Sequence, residues 1–454
     1  MVVGSRVSVD DQEVVPTNAG VSRIFILKTA AKRLNFGHPP ATVDFWNRLV
    51  REGLSLGTPT PFYIFSALPI AERLAEFDVA LKSAAGILPA DLSNAGKLKV
   101  RHWLSCKTQP VASLLRWWRE QNRPIEVVSE FELRAALQEG FRPENILVNG
   151  PAKHHWLSVF KLRCLSVNFD SPSELALVLP IAKKLNWRCG VRINTTEEFD
   201  PENPQFPTQF GFTPDQAVTA LKKLLRAKAR VETVHFHLRT NIQSAQVYQR
   251  AIDEVAAVCR SAGFSPQFLD IGGGLPVRHV LSRGGKVFDG EFGLRAFGEM
   301  LRQSAKLFPS LSEIWLENGR FISAGSGALV VKILDVKERR GLRQLICDGG
   351  RTMNALTSLW EQHRLLTVPA RSGLETLTVV CGPTCMAFDQ LGRLPLPRSL
   401  RPGDHLAWLE AGAYHIPWET RFSHGHASVL WHDERGLRPA RDRQSFEDFW
   451  GQWR

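Results

Sequence analysis

The chain has 454 residues, 44% of them hydrophobic and 22% charged, with a formal net charge of +12. That length suits one large barrel with a companion domain, and the balance is that of a globular protein rather than a fibrous or disordered one. The charge favours anionic ligands or acidic partners, but the arginines are scattered, as at Arg393, Arg398, Arg401 and Arg438, without interleaved aromatics, so no nucleic-acid partner is expected. Seven cysteines without CxxC spacing look like reduced thiols, not a disulfide frame or a zinc site. The opening MVVGSRVSVDDQEVVP has no continuous apolar core, and no stretch reaches the roughly 18 apolar residues of a membrane span. A cytoplasmic protein with no membrane partner is the expectation.

In chain order, residues 1–22 mix Gly, Ser, Asp and Pro without period and read as a flexible arm. Residues 23–59 are expected to pack with a later β-domain. From about residue 60 short apolar, β-branched runs alternate with helical patterns, the rhythm of βα units. The predicted strands are Val100–Ser105, Ile125–Ser129, Asn145–Asn149, Cys164–Asp170, Cys189–Asn194, Val231–Leu238, Gln267–Ile271 and Glu313–Glu317. Amphipathic stretches between them include Glu132–Glu139, Ser173–Leu185, Asp215–Arg226 and Gln246–Ala262. Eight strands with helices between them predict an α/β fold, a closed (β/α)8 barrel over residues 60–325, with an open doubly wound sheet as the alternative. Past residue 325 the rhythm changes to β-rich segments such as Ala328–Val336 and Leu374–Cys381, so residues 326–454 read as a mostly-β domain.

Barrel enzymes carry their chemistry at the C-terminal ends of the strands, and polar residues collect there. Strand one leads to Lys107, strand six carries His235 and His237, strand seven runs into Gly272-Gly273-Gly274, and strand eight ends in Glu317-Asn318-Gly319-Arg320. Glycine turns let backbone N–H groups close around an anion, and Arg320 after the next strand adds a forked cation, so phosphate is the better reading. A lysine in a partly desolvated barrel mouth has a lowered pKa and can form a Schiff base. Lys107 fits that place, and Lys153, just past strand three, competes for it. His235 and His237 share a strand face, but a third ligand of suitable spacing is not evident, so no metal is expected.

The segments PFYIF, SCKTQP, EVVSEFEL, NILVNGPAK, VNFDSPSEL, VRIN, QFG, HFHLRTN, LDIGGG, ENGR, CDGG, GPTC and GAY follow one another from about Pro61 to Gly425. In this order they resemble the pyridoxal-phosphate (PLP) decarboxylases of ornithine, diaminopimelate and arginine, whose fold is an alanine-racemase-like barrel plus β-domain. The resemblance implies PLP as cofactor and decarboxylation of an amino acid or amino-acid derivative. It implies Lys107 as the internal-aldimine lysine, His237 as the ring stacked on the cofactor, and Glu317 as the carboxylate facing the pyridine nitrogen. Gly272, Gly273, Gly274, Gly319, Arg320 and Tyr414 would cradle the phosphate, with Thr240 in the place of a family serine. Cys385 of GPTC would enter from the partner subunit and protonate the carbanion, which implies a homodimer with shared sites.

Several positions depart from the pattern. Met386 stands where the family has an acidic reader of the substrate's distal group, Arg239 where it has glycine, Asn318 where it has proline, Trp360 where it has tyrosine, and Gln109 where asparagine is usual. Trp360, Glu361, Met386 and Asp389 are therefore the candidate substrate residues, with Glu361 a candidate replacement acid and Arg239 a candidate anion ligand. Free ornithine and diaminopimelate are expected to be poor substrates, and a modified or carrier-linked amino acid is in keeping with the +12 charge. Two rival readings stay open: a PLP racemase, which needs a second base drawn from Tyr63, Tyr248 and Tyr414, and a non-catalytic decarboxylase-like regulator.

Overall fold

The computed structural model describes residues 40–90, 98–199, 208–289 and 292–454, so the expected arm over 1–22 lies outside the described residues. Each predicted helix starts at a side-chain cap. Ser129 accepts from the Glu132 N–H ahead of Glu130–Gln138, and Ser171 accepts from the Glu174 N–H ahead of Pro172–Lys184. Thr213 and Gln216 form a reciprocal capping box that opens Pro214–Arg226. Ser244 opens Ala245–Ala262, and Gly263 closes it at φ +65°, where a Cβ would be strained.

Between these helices all eight predicted barrel strands form, and they pair in parallel. The first is in two pieces. Lys99–His102 pairs with the eighth strand, Glu313–Leu316, whereas Leu104–Ser105 pairs with the second, Ile125–Val127. Between the pieces, the Trp103 N–H donates to Leu316 O at 2.8 Å while its ring lies 4.7 Å from that of Trp315. One strand thus bridges the first and last members of the sheet, and the barrel closes, which excludes the open doubly wound alternative. The pairs are mostly shorter than the apolar runs, because the polar residues at each strand's end turn out into the loops of one rim.

The β-rich region forms a second sheet whose pairing path runs Gln390–Pro397, Glu375–Cys381, Leu342–Cys347, Gly327–Arg339, Phe62–Ser66, Ser428–Asp433 and Gly436–Arg441. Phe62–Ser66 corrects the expectation that the barrel starts at residue 60. It lies between Gly327–Arg339, antiparallel, and Ser428–Asp433, parallel, in the middle of the second sheet. All five of its residues are buried, so FYIFS needs cover on both faces. The helix Pro40–Ser55 supplies one cover: Trp46, Leu49 and Val50 pack on Phe62, Ile64, Ala328 and Val330. Three such side chains stabilise that docking by roughly 5–9 kcal/mol before ordering costs.

Candidate active site

Lys107 stands in a single 3-10 turn, Cys106–Thr108, directly after the first barrel strand. Its Nζ donates to Ser105 Oγ at 3.0 Å and to the two Glu126 carboxylate oxygens at 3.1 and 2.9 Å. Burial alone would lower the amine's pKa, but the Glu126 and Glu317 carboxylates overcome it and hold the ammonium above its ordinary value. This reverses the lowered pKa expected of a barrel-mouth lysine. Glu126 was not among the sequence candidates. It is a buried carboxylate inside the second strand, bonded to Ser105 as well as to Lys107.

The competing lysine is spoken for. Lys153 Nζ is buried, donating to Glu174 at 2.6 Å and to Gly150 O at 2.9 Å. An amine locked into a wholly buried ion pair is a structural strut.

Glu317, at the end of strand eight, is buried and accepts from Asn149 Nδ2 at 2.5 Å. His235 Nε2 lies 3.8 Å and His237 Nδ1 3.7 Å from its oxygens. Burial favours its neutral form, but His237 and the Lys107 ammonium reverse this and keep the carboxyl below the ordinary range. Beside it, burial and the Glu317 charge push the Asp270 carboxyl well up. Burial drops His235 to about 3, leaving it neutral. The pocket therefore holds two buried carboxylates, Glu317 and Glu126, with the cationic Lys107 amine.

The cluster His235, His237 and Glu317 supplies the third metal-type ligand that spacing alone did not show. Two of its donors are already engaged, since His237 Nδ1 accepts the Gly273 N–H at 3.2 Å and Glu317 Oε1 accepts from Asn149, while both His235 ring nitrogens are buried without a hydrogen-bond partner among the described residues. A lone pair used for a hydrogen bond is not free for a metal.

The triple glycine is packed from behind. A Cβ on Gly273 would meet Glu317 O at 2.7 Å, and one on Gly274 would meet Arg239 O at 2.7 Å. Gly274 has φ +99°, so both space and conformation require glycine. Gly319 holds the strand-eight loop against the Lys107 turn, where a Cβ would stand 2.7 Å from Ser105 Cβ. Arg320 follows on the short helix Gly319–Ser323, its guanidinium 5.8 Å from the Tyr414 ring centroid. Tyr414 is fixed to the same wall by its N–H, which donates to Thr108 O at 2.7 Å. Thr240 is exposed in the loop after strand six.

The β-domain brings the substrate candidates to varied places. Glu361 is buried and pairs with Arg320, while His363 Nε2 lies 2.9 Å from its other oxygen. Burial opposes ionisation there, but His363 and Arg320 hold the carboxyl below its usual range. Trp360 is half exposed and its ring lies 5.2 Å from that of Trp418. Asp389 turns inward: it accepts from the Arg351 N–H at 2.7 Å and from Thr384 Oγ1 at 2.6 Å, tying the GPTC turn to the CDGG turn. Cys385 is exposed on that turn, and Met386 is half-buried beside it. Arg239 is turned aside, with Nη1 donating to Glu197 O at 2.9 Å. Of the other tyrosines, Tyr63 donates to Met353 O at 2.8 Å and Tyr248 to Gly273 O at 2.9 Å. Both are fully buried, and burial pushes both hydroxyls up, so neither is placed as a second base.

A lysine, a fixed carboxylate and a glycine nest with an arginine, all on one barrel rim, define an enzyme that anchors a phosphate-bearing cofactor through an amine. Residues 92–324 match the family described as pyridoxal-dependent decarboxylase, pyridoxal binding domain, and the chain belongs to that family. It is a PLP-dependent amino-acid decarboxylase, a carboxy-lyase. It is similar to diaminopimelate decarboxylase of Zymomonas mobilis, 24% identical over 367 residues, covering 78% of this chain and 83% of that protein. It is also similar to diaminopimelate decarboxylase of Helicobacter pylori, 26% identical over 409 residues, covering 86% and 95%. The solved structure of the Helicobacter pylori enzyme complexed with L-lysine shares the fold at a TM-score of 0.74 and 24% identity, over 89% of this chain and 99% of that one. The arginine decarboxylase of Paramecium bursaria Chlorella virus bound to agmatine shares it at 0.65 and 20%, over 83% and 97%.

The residues present fit PLP. The Gly274 N–H and Arg320 offer phosphate donors beside Gly272 and Gly273, whose N–H groups are given to Asp270 and His237, while Glu317 offers an ionised carboxylate and Lys107 the amine. None of the described residues forms a helix long and apolar enough to cross a membrane.

Proposed function

We propose that the protein decarboxylates an amino acid or amino-acid derivative with Lys107 as the amine that carries PLP, and with Cys385 of a partner subunit delivering the proton that replaces the carboxylate. The observation that carries this reading is the Glu317 carboxylate, kept ionised in a buried pocket between Asn149 and His237 and facing Lys107. When bound, PLP supplies an electron sink for the pair left by departing carbon dioxide. Glu317 would hold a proton on the pyridine nitrogen, His237 would lie against the ring, and the glycine nest with Arg320 would fix the phosphate. Glu126 would receive the Lys107 ammonium whenever the amine is released.

Cys385 is exposed on a β-domain turn outside the barrel, which suits a thiol offered to a second copy of the chain. The relatives are named for diaminopimelate, yet Met386 takes the place of the acidic reader in this chain. A buried distal ammonium left without a partner costs a few kcal/mol, so free diaminopimelate and ornithine are expected to turn over poorly.

The test is carbon dioxide release from a panel of L- and D-amino acids by the PLP-loaded enzyme, with Lys107→Ala as control. Lysine-dependent release is expected, and its absence across substrates that bind would overturn the reading. Mixing Lys107→Ala with Cys385→Ala chains should restore part of the activity lost in each. A mixture no better than its components would sink the shared site.

A further inference from the structure

The β-domain holds a cavity of about 660 Å3, within the roughly 300–1,000 Å3 that accommodates a drug-sized ligand. Glu361 forms part of its lining, and Glu361 is the partner of Arg320, so the cavity shares a wall with the phosphate end of the cofactor site. Ala387 and Phe388, on the turn that carries Cys385 and Met386, form another part. Three arginines, Arg283, Arg351 and Arg393, also line it, and none of them is paired with a carboxylate among the described residues. Arg351 lies over the Phe388 ring, 4.9 Å from its centroid, and Arg283 Nη1 reaches only Leu359 O at 3.4 Å. The one acid in its lining, Glu361, is already paired with Arg320 and His363, and the neighbouring Asp389 is turned to the Arg351 N–H and Thr384.

A second arginine-lined cavity shows the usual alternative. It encloses about 440 Å3 and is lined by Arg73, Arg278 and Arg364 together with Glu72, Glu76 and Glu410. Glu76 pairs with both Arg73 and Arg278, and Glu410 pairs with Arg364. Its charges cancel internally, whereas those of the β-domain cavity do not. Three guanidinium groups around one concavity repel one another, and they offer forked donors matched to carboxylate or phosphate oxygens.

We infer that this cavity is a subsite for a polyanionic group borne by the substrate, so that the substrate is an amino acid joined to a di- or tricarboxylate or a phosphate. The inference rests on the decarboxylase reading and names its substrate class. It also accounts for Met386: a substrate with an anionic far end has no use for an acidic reader there.

The experiment is calorimetric titration of the PLP-loaded enzyme with citrate, in the wild type and in Arg351→Gln/Arg393→Gln. Citrate should bind the wild type and bind the double variant weaker by about tenfold per arginine removed, with the cofactor's visible absorbance unchanged. No citrate binding, or equal binding by both proteins, would overturn the subsite. The source of the anion is read from carbon dioxide release with citrate present. A raised KM at constant kcat supports a substrate-borne group, and a changed kcat at constant KM overturns it in favour of a free effector. Arginine-dependent citrate binding without any lysine-dependent carbon dioxide release would mean that the decarboxylase assignment had failed while the anion site stood.

Discussion

Replacing Glu126 by Gln removes the carboxylate that receives the Lys107 ammonium but keeps its shape and an acceptor for Ser105. At the observed 2.9 Å, a unit charge pair in an effective dielectric of about 20 interacts by roughly 6 kcal/mol. The Lys107 side chain is 35% exposed, so solvent screening cuts this sharply. The remaining effect is about one to two pKa units, each unit being 1.36 kcal/mol. The sign follows from the two opposing causes. Burial lowers the amine pKa, Glu126 and Glu317 raise it, and with Glu126 gone burial regains weight. Only the neutral amine attacks an aldehyde, so at neutral pH the variant holds about ten to a hundred times more reactive Lys107. The assay is stopped-flow mixing of PLP-stripped protein with PLP, following the visible chromophore from pH 6 to 10. Wild type should capture PLP slowly at neutral pH and accelerate with rising pH, while Glu126→Gln should stay ahead by a similar factor throughout, because the wild-type amine titrates above that range. Equal rates for the two proteins across that range would refute the claim that Glu126 sets the lysine's protonation.

Two further predictions concern the scaffold. Gly274→Ala places a Cβ 2.7 Å from Arg239 O at a φ of +99°, which should destabilise the fold by about 2–3 kcal/mol and weaken PLP retention; urea unfolding and dialysis against buffer would measure the two losses. Asp433 accepts from both Arg438 nitrogens at 2.6 Å and from Trp431 Nε1 at 2.9 Å, bonds that hold its carboxyl far below the usual range. Asp433→Asn should cost about 1–2 kcal/mol at pH 7, allowing for the partial exposure of Arg438. Because the folded pKa is depressed, that contribution is complete above about pH 4 and fades as the wild-type acid protonates below it. Denaturation of both proteins at pH 7 and pH 3 should show the gap narrowing, and a gap that widens in acid would contradict the assignment.

The barrel was legible because each strand is an apolar β-branched run bounded by polar residues, and the chemistry sits at those bounds. The split at Trp103 was not legible, since which neighbour a residue pairs with is decided by closure of the whole sheet. Phe62–Ser66 was misplaced because a short run such as FYIFS fits any sheet buried on both faces, and its partners lie more than 250 residues away. Glu126 went unread because attention fell on strand ends, although a signal existed: a glutamate between Ile125 and Val127 in an apolar strand must find a buried partner. The pairing of Glu361 with Arg320 joins two domains, and no local pattern encodes it. Arg239 invited a reading as an anion ligand from the residue type alone, whereas its guanidinium is turned to the Glu197 carbonyl.

The central position of Phe62–Ser66 in the second sheet has a consequence for synthesis. This strand leaves the ribosome before the barrel, and its neighbours Gly327–Arg339 and Ser428–Asp433 come only after it. At about 5–20 residues per second, the last neighbour follows some 20–70 s later. Through that interval a fully apolar edge stands with both ladders of backbone groups unmatched, an invitation to pair with other nascent chains. The barrel can fold during translation while its companion sheet cannot, so a chaperone that covers Phe62–Ser66 over that interval should raise the yield of folded protein.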